Sequence, residues 1–231
     1  MENDFFNTQE AYNTHGEYYH ANIKNNFWNT YIERPAIEKK IQSIVKNKVV
    51  IDLGCGSGIL THKIMKWGAK KTVGVDFSQS LINIAKEEYK NIDFICEDIS
   101  NLSVDNNIFD IAVSSLVTHY IEDIYSLFNQ VSRVLKKDGI FIFTCHHPLM
   151  FSEKKVQITK EKYHFSLMKK IHVTIYSHSF EKMKKFLKKS SFKNIKIHEL
   201  KPIPKGIEYD ENEYIYTNNN PTFILVEAQK L

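Results

Sequence analysis

The chain has 231 residues, 42% apolar and 25% charged, enough for one sizeable core and too apolar for a disordered polymer. Eight Gly and five Pro exclude collagen-like or proline-rich architecture, and the acidic start Met1-Glu2-Asn3-Asp4 lacks the basic stretch and apolar run of a signal peptide. No window approaches the ~18 consecutive apolar residues of a membrane span, and three scattered cysteines suit reduced thiols, so a soluble cytoplasmic protein is expected.

Residues 1–48 read mainly as helix. Trp28, Tyr31, Ile32, Ala36, Ile37, Ile41, Ile44 and Val45 recur at three- and four-residue steps, with Pro35 as an interruption. Short apolar runs then alternate with amphipathic stretches: Val49–Leu53, Thr72–Asp76, Ile92–Cys96, Ile111–Ser115 and Ile140–Thr144. Ile124, Leu127, Phe128, Val131, Val134 and Leu135 share one helical face, and Asp138-Gly139 supplies a turn before the next strand. This alternation implies crossover connections, hence an α/β fold with a parallel sheet covered by helices on both faces. Beyond Pro148 the pattern predicts strands at Lys155–Ile158, Ile171–Tyr176, Phe192–Glu199 and Thr222–Ala228, and a helix around Phe180–Leu187.

The net charge of +4 is unevenly spread. Residues 151–205 hold 15 Lys against four acids, a balance of +11 that leaves −7 for the rest. Such a segment suits phosphate or nucleic acid, yet it has no Arg, so a solvated lysine surface is the simpler reading.

The most informative stretch is Val49-Val50-Ile51-Asp52-Leu53-Gly54-Cys55-Gly56-Ser57-Gly58. A strand runs into three alternate glycines and then a helix, which lets a ligand lie against backbone at the carboxyl end of a sheet. No Lys comes after Gly58, which excludes a P-loop, and the third glycine comes one position early for a dinucleotide fingerprint. Asp52 at the strand end would repel a pyrophosphate but suits a cationic ligand.

Asp52-x-Gly54-x-Gly56-x-Gly58 resembles the signature of class I S-adenosylmethionine-dependent methyltransferases, and further segments match in order. These are Val73-Gly74-Val75-Asp76-Phe77-Ser78, Phe94-Ile95-Cys96-Glu97-Asp98-Ile99, Phe109–Ser115 with Ser114, and Leu135–Ile140; the resemblance is strong over roughly residues 45–147. It implies a Rossmann-like, doubly wound, mostly parallel seven-stranded sheet with an antiparallel last strand. A helical lid is expected over residues 1–45 and the catalytic domain over 46–231, with an insertion at about 149–178 over the active site. S-adenosylmethionine is the implied cofactor and S-adenosylhomocysteine the product. Asp76 would accept the ribose hydroxyls, Phe77 and Leu81 would face adenine, and Asp98 beside Ile99 would meet the adenine amino group. Tyr18 or Tyr19 would reach the cofactor's carboxylate.

The loop after the fourth strand narrows the acceptor. Ser114-Ser115-Leu116-Val117 is not the Asn/Asp-Pro-Pro-Tyr/Phe loop of base-amine enzymes, no cysteine sits directly after a proline, and Glu122-Asp123 lies too far along for a catechol-type metal site. The three cysteines lack metal-ligand spacing, so no metal is expected. The remaining class is a small-molecule O- or N-methyltransferase, monomeric or homodimeric, with Tyr18, Trp28, Tyr31, Tyr120 and His146 in the acceptor pocket. His119 or His147 is the expected base, which predicts a rate rising through pH 6–7. Two rival readings are an RNA methyltransferase gripping phosphate with the 151–205 lysines, and an enzyme using the same cofactor for aminocarboxypropyl transfer or cyclisation.

Overall fold

The computed structural model describes residues 7–150 and 162–231. In chain order it comprises α1 (Thr8–Ile23), a π-helical turn (Asn29–Glu33), α2 (Arg34–Gln42), β1 (Val49–Leu53), α3 (Ile59–Lys66), β2 (Lys71–Asp76), α4 (Gln79–Glu88) and β3 (Asp93–Cys96). The second half contains β4 (Phe109–Ser115), α5 (Ile124–Val134), β5 (Leu135–His146), β6 (Lys162–Leu167), β7 (Ile171–Tyr176), α6 (Phe180–Lys189), β8 (Phe192–Glu199), α7 (Gly206–Tyr209), α8 (Glu211–Asn219) and β9 (Phe223–Lys230).

Seven strands form one sheet in the order β3-β2-β1-β4-β5-β9-β8, parallel except for β9, which runs antiparallel to both neighbours. The doubly wound fold expected from the sequence is therefore present. β1 is apolar apart from Asp52 because helices cover both of its faces. Ile51 and Leu53 join a core with Phe128 and Phe143, whereas Val50 joins another with Ile37, Ile41 and Ile64. Chain direction across the sheet reverses between β1 and β4, and that switch opens a crevice at the strands' carboxyl ends.

Several boundaries differ from expectation. Pro35 does not end the helix; it follows directly on the π-helical turn at the start of α2, and the Tyr31 carbonyl one turn back accepts instead from the Ile203 N–H (2.8 Å). The Asp138-Gly139 turn is absorbed into β5: Phe109 pairs with Leu135 but Ile111 with Ile140, and Asp138 takes φ +60°. β6 was not predicted. It pairs with β7 through a turn in which Met168 and Lys169 both have positive φ, without the Asn or Gly that signals such turns. α8 lacks an apolar face, since Ile215 and Tyr216 are exposed, so periodicity could not reveal it. The strand predicted at Lys155–Ile158 lies outside the described residues.

The lysines of α6 occupy its solvent side, opposite buried Met183 and Leu187. No helix among the described residues is long and apolar enough to cross a membrane. The N-terminal helices pack over the crevice. His20 of α1 bonds Ser57 of the glycine loop through Nδ1 (2.7 Å) and meets Glu88 of α4 through Nε2 (3.0 Å). The β6–β7 hairpin closes on α1 through Tyr12, Leu81, Ile171, Val173 and Ile175.

Candidate active site

The glycine loop is laid across the end of β2: the N–H groups of Gly54 and Cys55 both donate to the Val75 carbonyl (2.7 and 3.0 Å). Gly54 has φ +74°, and a Cβ there would run into Val117. Gly58, at φ +81°, is excluded from side chains by Phe94 and Tyr89, so it serves packing rather than lining the crevice. Gly56 differs, because the nearest atom to a Cβ would be Tyr19 Cε1 at 3.9 Å. Its backbone faces open space and donates N–H to Asp76 Oδ2 (2.8 Å).

Two cavities are lined by this loop, and a third adjoins them. The first, about 90 Å³, is lined by Glu33, Arg34, Asp52, Gly54 and Gly56 among others. The second, also about 90 Å³, has Asp76 and Asp98 as acids and Phe77, Leu81 and Ile99 as apolar wall. The third, about 210 Å³, is lined by Trp28, His119, Tyr120 and His146, with Phe165 from the hairpin and Phe223 from β9. Tyr19 and Leu116 border all three. Leu116 holds φ +54°, a conformation that costs an L-residue on the order of 1 kcal/mol. Its N–H is anchored to Thr144 of β5, by the carbonyl and by Oγ1 (both 3.1 Å).

The acids at this junction are buried and short of partners. Asp52 takes a bond from Thr61 on Oδ2 (2.7 Å), while Oδ1 has none; burial pushes its carboxyl up to about 7, with Asp76 and Glu33 adding to the rise. Asp76 accepts N–H from Gly56 and, on Oδ1, from Ser78 (2.9 Å), and burial raises it to about 6 despite those bonds. Glu33 is fully buried; its Oε1 accepts from Ser115 (2.7 Å) and Thr144 (2.6 Å), Oε2 has no partner, and burial raises its carboxyl too. Two orphaned carboxylate oxygens around an acidic cavity suit a cation. S-adenosylmethionine carries a sulfonium and an α-ammonium, so Asp52 and Glu33 fit its charged end. Arg34 offers a guanidinium for its carboxylate. Asp76 is a carboxylate with acceptor capacity for ribose hydroxyls, and the apolar second cavity suits adenine.

Other predicted positions separate clearly. His119 is 3% exposed and stacks on His146 at 3.9 Å and 11°. Burial, followed by His146 and His178, drives its imidazole well below the usual range, and burial takes His146 down to about 3. A base at His119 would therefore place the rate rise below the pH 6–7 expected. His147 turns out of the cavities: Nδ1 accepts the Leu149 N–H (3.1 Å) and Nε2 meets Glu199 (3.2 Å). Ser114 faces the sheet interior, donating to the Leu53 carbonyl (2.9 Å), and its neighbour Ser115 lines the crevice instead. Tyr18 bonds the Met168 carbonyl (3.2 Å), and Tyr31 packs on Phe27 and Tyr209, so neither borders the three cavities.

The residues missed in the sequence were Glu33, Arg34 and Tyr12. Tyr12 lines the second and third cavities and shares a hydrogen bond with the Tyr120 hydroxyl (2.9 Å). Only the charged pair Glu33-Arg34 inside an otherwise apolar helical face offered a signal. Among the described residues, no group of three His, Cys, Asp or Glu side chains is arranged to hold a metal ion.

Comparison with known proteins agrees with this geometry. Residues 51–143 match a family model described as a methyltransferase domain. A ubiquinone biosynthesis O-methyltransferase of Coxiella burnetii is 35% identical over 107 residues, 45% of either chain. A malonyl-[acyl-carrier protein] O-methyltransferase of Bacillus cereus is 28% identical over 116 residues, 49% of this chain and 43% of that one. The chain thus spans under half the length of these curated relatives. A crystal structure of an S-adenosylmethionine-dependent methyltransferase from Mesorhizobium loti superposes with a TM-score of 0.74 and 25% identity, covering 86% of this chain and 97% of that one.

Proposed function

Residues 51–143 match a methyltransferase domain, and from that premise we propose that the chain is a class I S-adenosylmethionine-dependent methyltransferase acting on an oxygen or nitrogen of a small metabolite. The observation that carries the proposal is the joining of an acid-lined cofactor crevice to a separate, larger aromatic cavity through Tyr19 and Leu116. When bound, the cofactor would supply an electrophilic methyl carbon and a thioether leaving group to an acceptor lone pair.

The chain's own residues do the rest. Asp52 and Glu33 hold the cationic end, Asp76 orients the ribose, and Tyr19 closes the boundary between cofactor and acceptor. The N-terminal helices act as a lid that keeps water out, latched through His20 to Ser57 and Glu88. His119, neutral at physiological pH, accepts the acceptor's proton. Alignment of two reactants in a closed site accounts for much of the acceleration, because the donor is already activated.

Incubating the chain with S-adenosylmethionine and a metabolite pool, then weighing the nucleoside by-product, tests this. S-adenosylhomocysteine is expected; methylthioadenosine would show aminocarboxypropyl chemistry instead.

Cofactor affinity should also depend on pH. The ionised forms of Asp52 and Asp76 are the ones that hold the cofactor, and in the free protein these groups protonate at about 7 and about 6. Raising the pH therefore strengthens binding. Calorimetry should give at least tenfold weaker S-adenosylmethionine binding at pH 5.5 than at pH 8, with proton release on binding near pH 6.5. A pH-independent affinity would show that neither carboxylate contacts the ligand.

A further inference from the structure

The third cavity limits what can be methylated. Fifteen described residues line it: six aromatic, five aliphatic or thioether, two Asn and two His, with no Lys, Arg, Asp or Glu. Glu213, which accepts the Trp28 indole N–H (2.8 Å), is not among them. Charge is concentrated instead in the first cavity, where Glu33, Arg34, Glu38 and Asp52 converge.

The two histidines do not restore a charge. With rings parallel and 3.9 Å apart, a proton on one strongly disfavours a second on the other, and burial opposes even the first. Among the described residues, the lining therefore offers neither a cation for a carboxylate or phosphate nor an anion for an ammonium. A charged group entering it loses its water and gains no counter-ion. Polar recognition is nevertheless available. His119 Nδ1 is buried without a hydrogen-bond partner, and Tyr120 borders the same space.

Size is the second constraint. An apolar cavity of ~150 Å³ admits benzene, so about 210 Å³ has room for a substituted ring. The aromatic walls contributed by Tyr12, Tyr19, Trp28, Tyr120, Phe165 and Phe223 favour a flat guest over a branched aliphatic one. A neutral imidazole matches a hydroxyl donor, which arrives uncharged, whereas an aliphatic amine arrives as a solvated ammonium.

We propose that the methyl acceptor is an uncharged monocyclic aromatic compound bearing a hydroxyl group, held between the aromatic walls with that hydroxyl at His119. This inference rests on the methyltransferase reading and narrows it to O-methylation of a phenol-like guest.

The test uses the full chain saturated with S-adenosylhomocysteine and four matched probes, 4-ethylphenol, 4-hydroxybenzoate, tyramine and ethylbenzene, each titrated by calorimetry. 4-Ethylphenol should bind at least tenfold more tightly than each of the other three. In His119→Phe, which keeps a ring against His146, its advantage over ethylbenzene should vanish while S-adenosylhomocysteine affinity is retained. Equal or tighter binding of 4-hydroxybenzoate or tyramine overturns the uncharged-acceptor assignment, as does failure of all four probes to bind. A 4-ethylphenol advantage that survives His119→Phe removes His119 from hydroxyl recognition. Failure of S-adenosylhomocysteine itself to bind is a different result, and it would count against the methyltransferase reading.

Discussion

Asp76→Ala is expected to weaken S-adenosylmethionine binding at least tenfold, measured by calorimetry at pH 8. The substitution removes two charge-assisted bonds to the ribose, each worth ~1.5–3 kcal/mol. It also strips the acceptor from Gly56 and Ser78, whose N–H groups set the path of the glycine loop. Stability of the free protein should change much less than affinity. Burial already raises this carboxyl to about 6, so the ionised side chain is held at a penalty that its removal relieves. An affinity unchanged in Asp76→Ala would remove the residue from the cofactor site. NAD should show no measurable binding to the parent chain, because the glycine spacing does not suit its pyrophosphate.

His119→Ala is expected to lower the methylation rate by ~10²–10⁴-fold while leaving cofactor affinity near normal. In the parent chain, at saturating cofactor, the rate should stay flat between pH 6 and 8. A histidine base works in its neutral form, and burial places the protonation of His119 well below 6.5, so the rise with pH lies beneath that window. His147→Ala should leave the rate unaffected, since that ring is engaged by Leu149 and Glu199. If His119→Ala keeps most of the rate, the acceptor loses its proton to water and the enzyme works by proximity alone.

The same two residues show how unevenly the site could be read from the chain. Asp76 was legible because it belongs to a local pattern: a strand, a carboxylate at its end, and a glycine loop at the right distance before it. Such features stem from backbone geometry over a few residues, and the parallel sheet stems from strand–helix alternation in the same way. His119 and His147 looked alike, since each comes just after a strand's carboxyl end. Only the tertiary structure separated them, turning His147 toward Glu199 and stacking His119 on His146 inside the aromatic cavity. Glu33 and Arg34 were illegible for a related reason. Their place beside Asp52 depends on how a helix some twenty residues earlier packs over the sheet, with Ser115 and Thr144 donating from two different strands. The β6–β7 hairpin was hidden because its turn takes positive φ at Met168 and Lys169, offset by strand pairing and packing on α1 rather than by turn residues. Local sequence thus determined the fold and the carboxylate at the end of β2. The aromatic cavity was decided by contacts between residues more than a hundred positions apart, whose burial and protonation state no local pattern encodes.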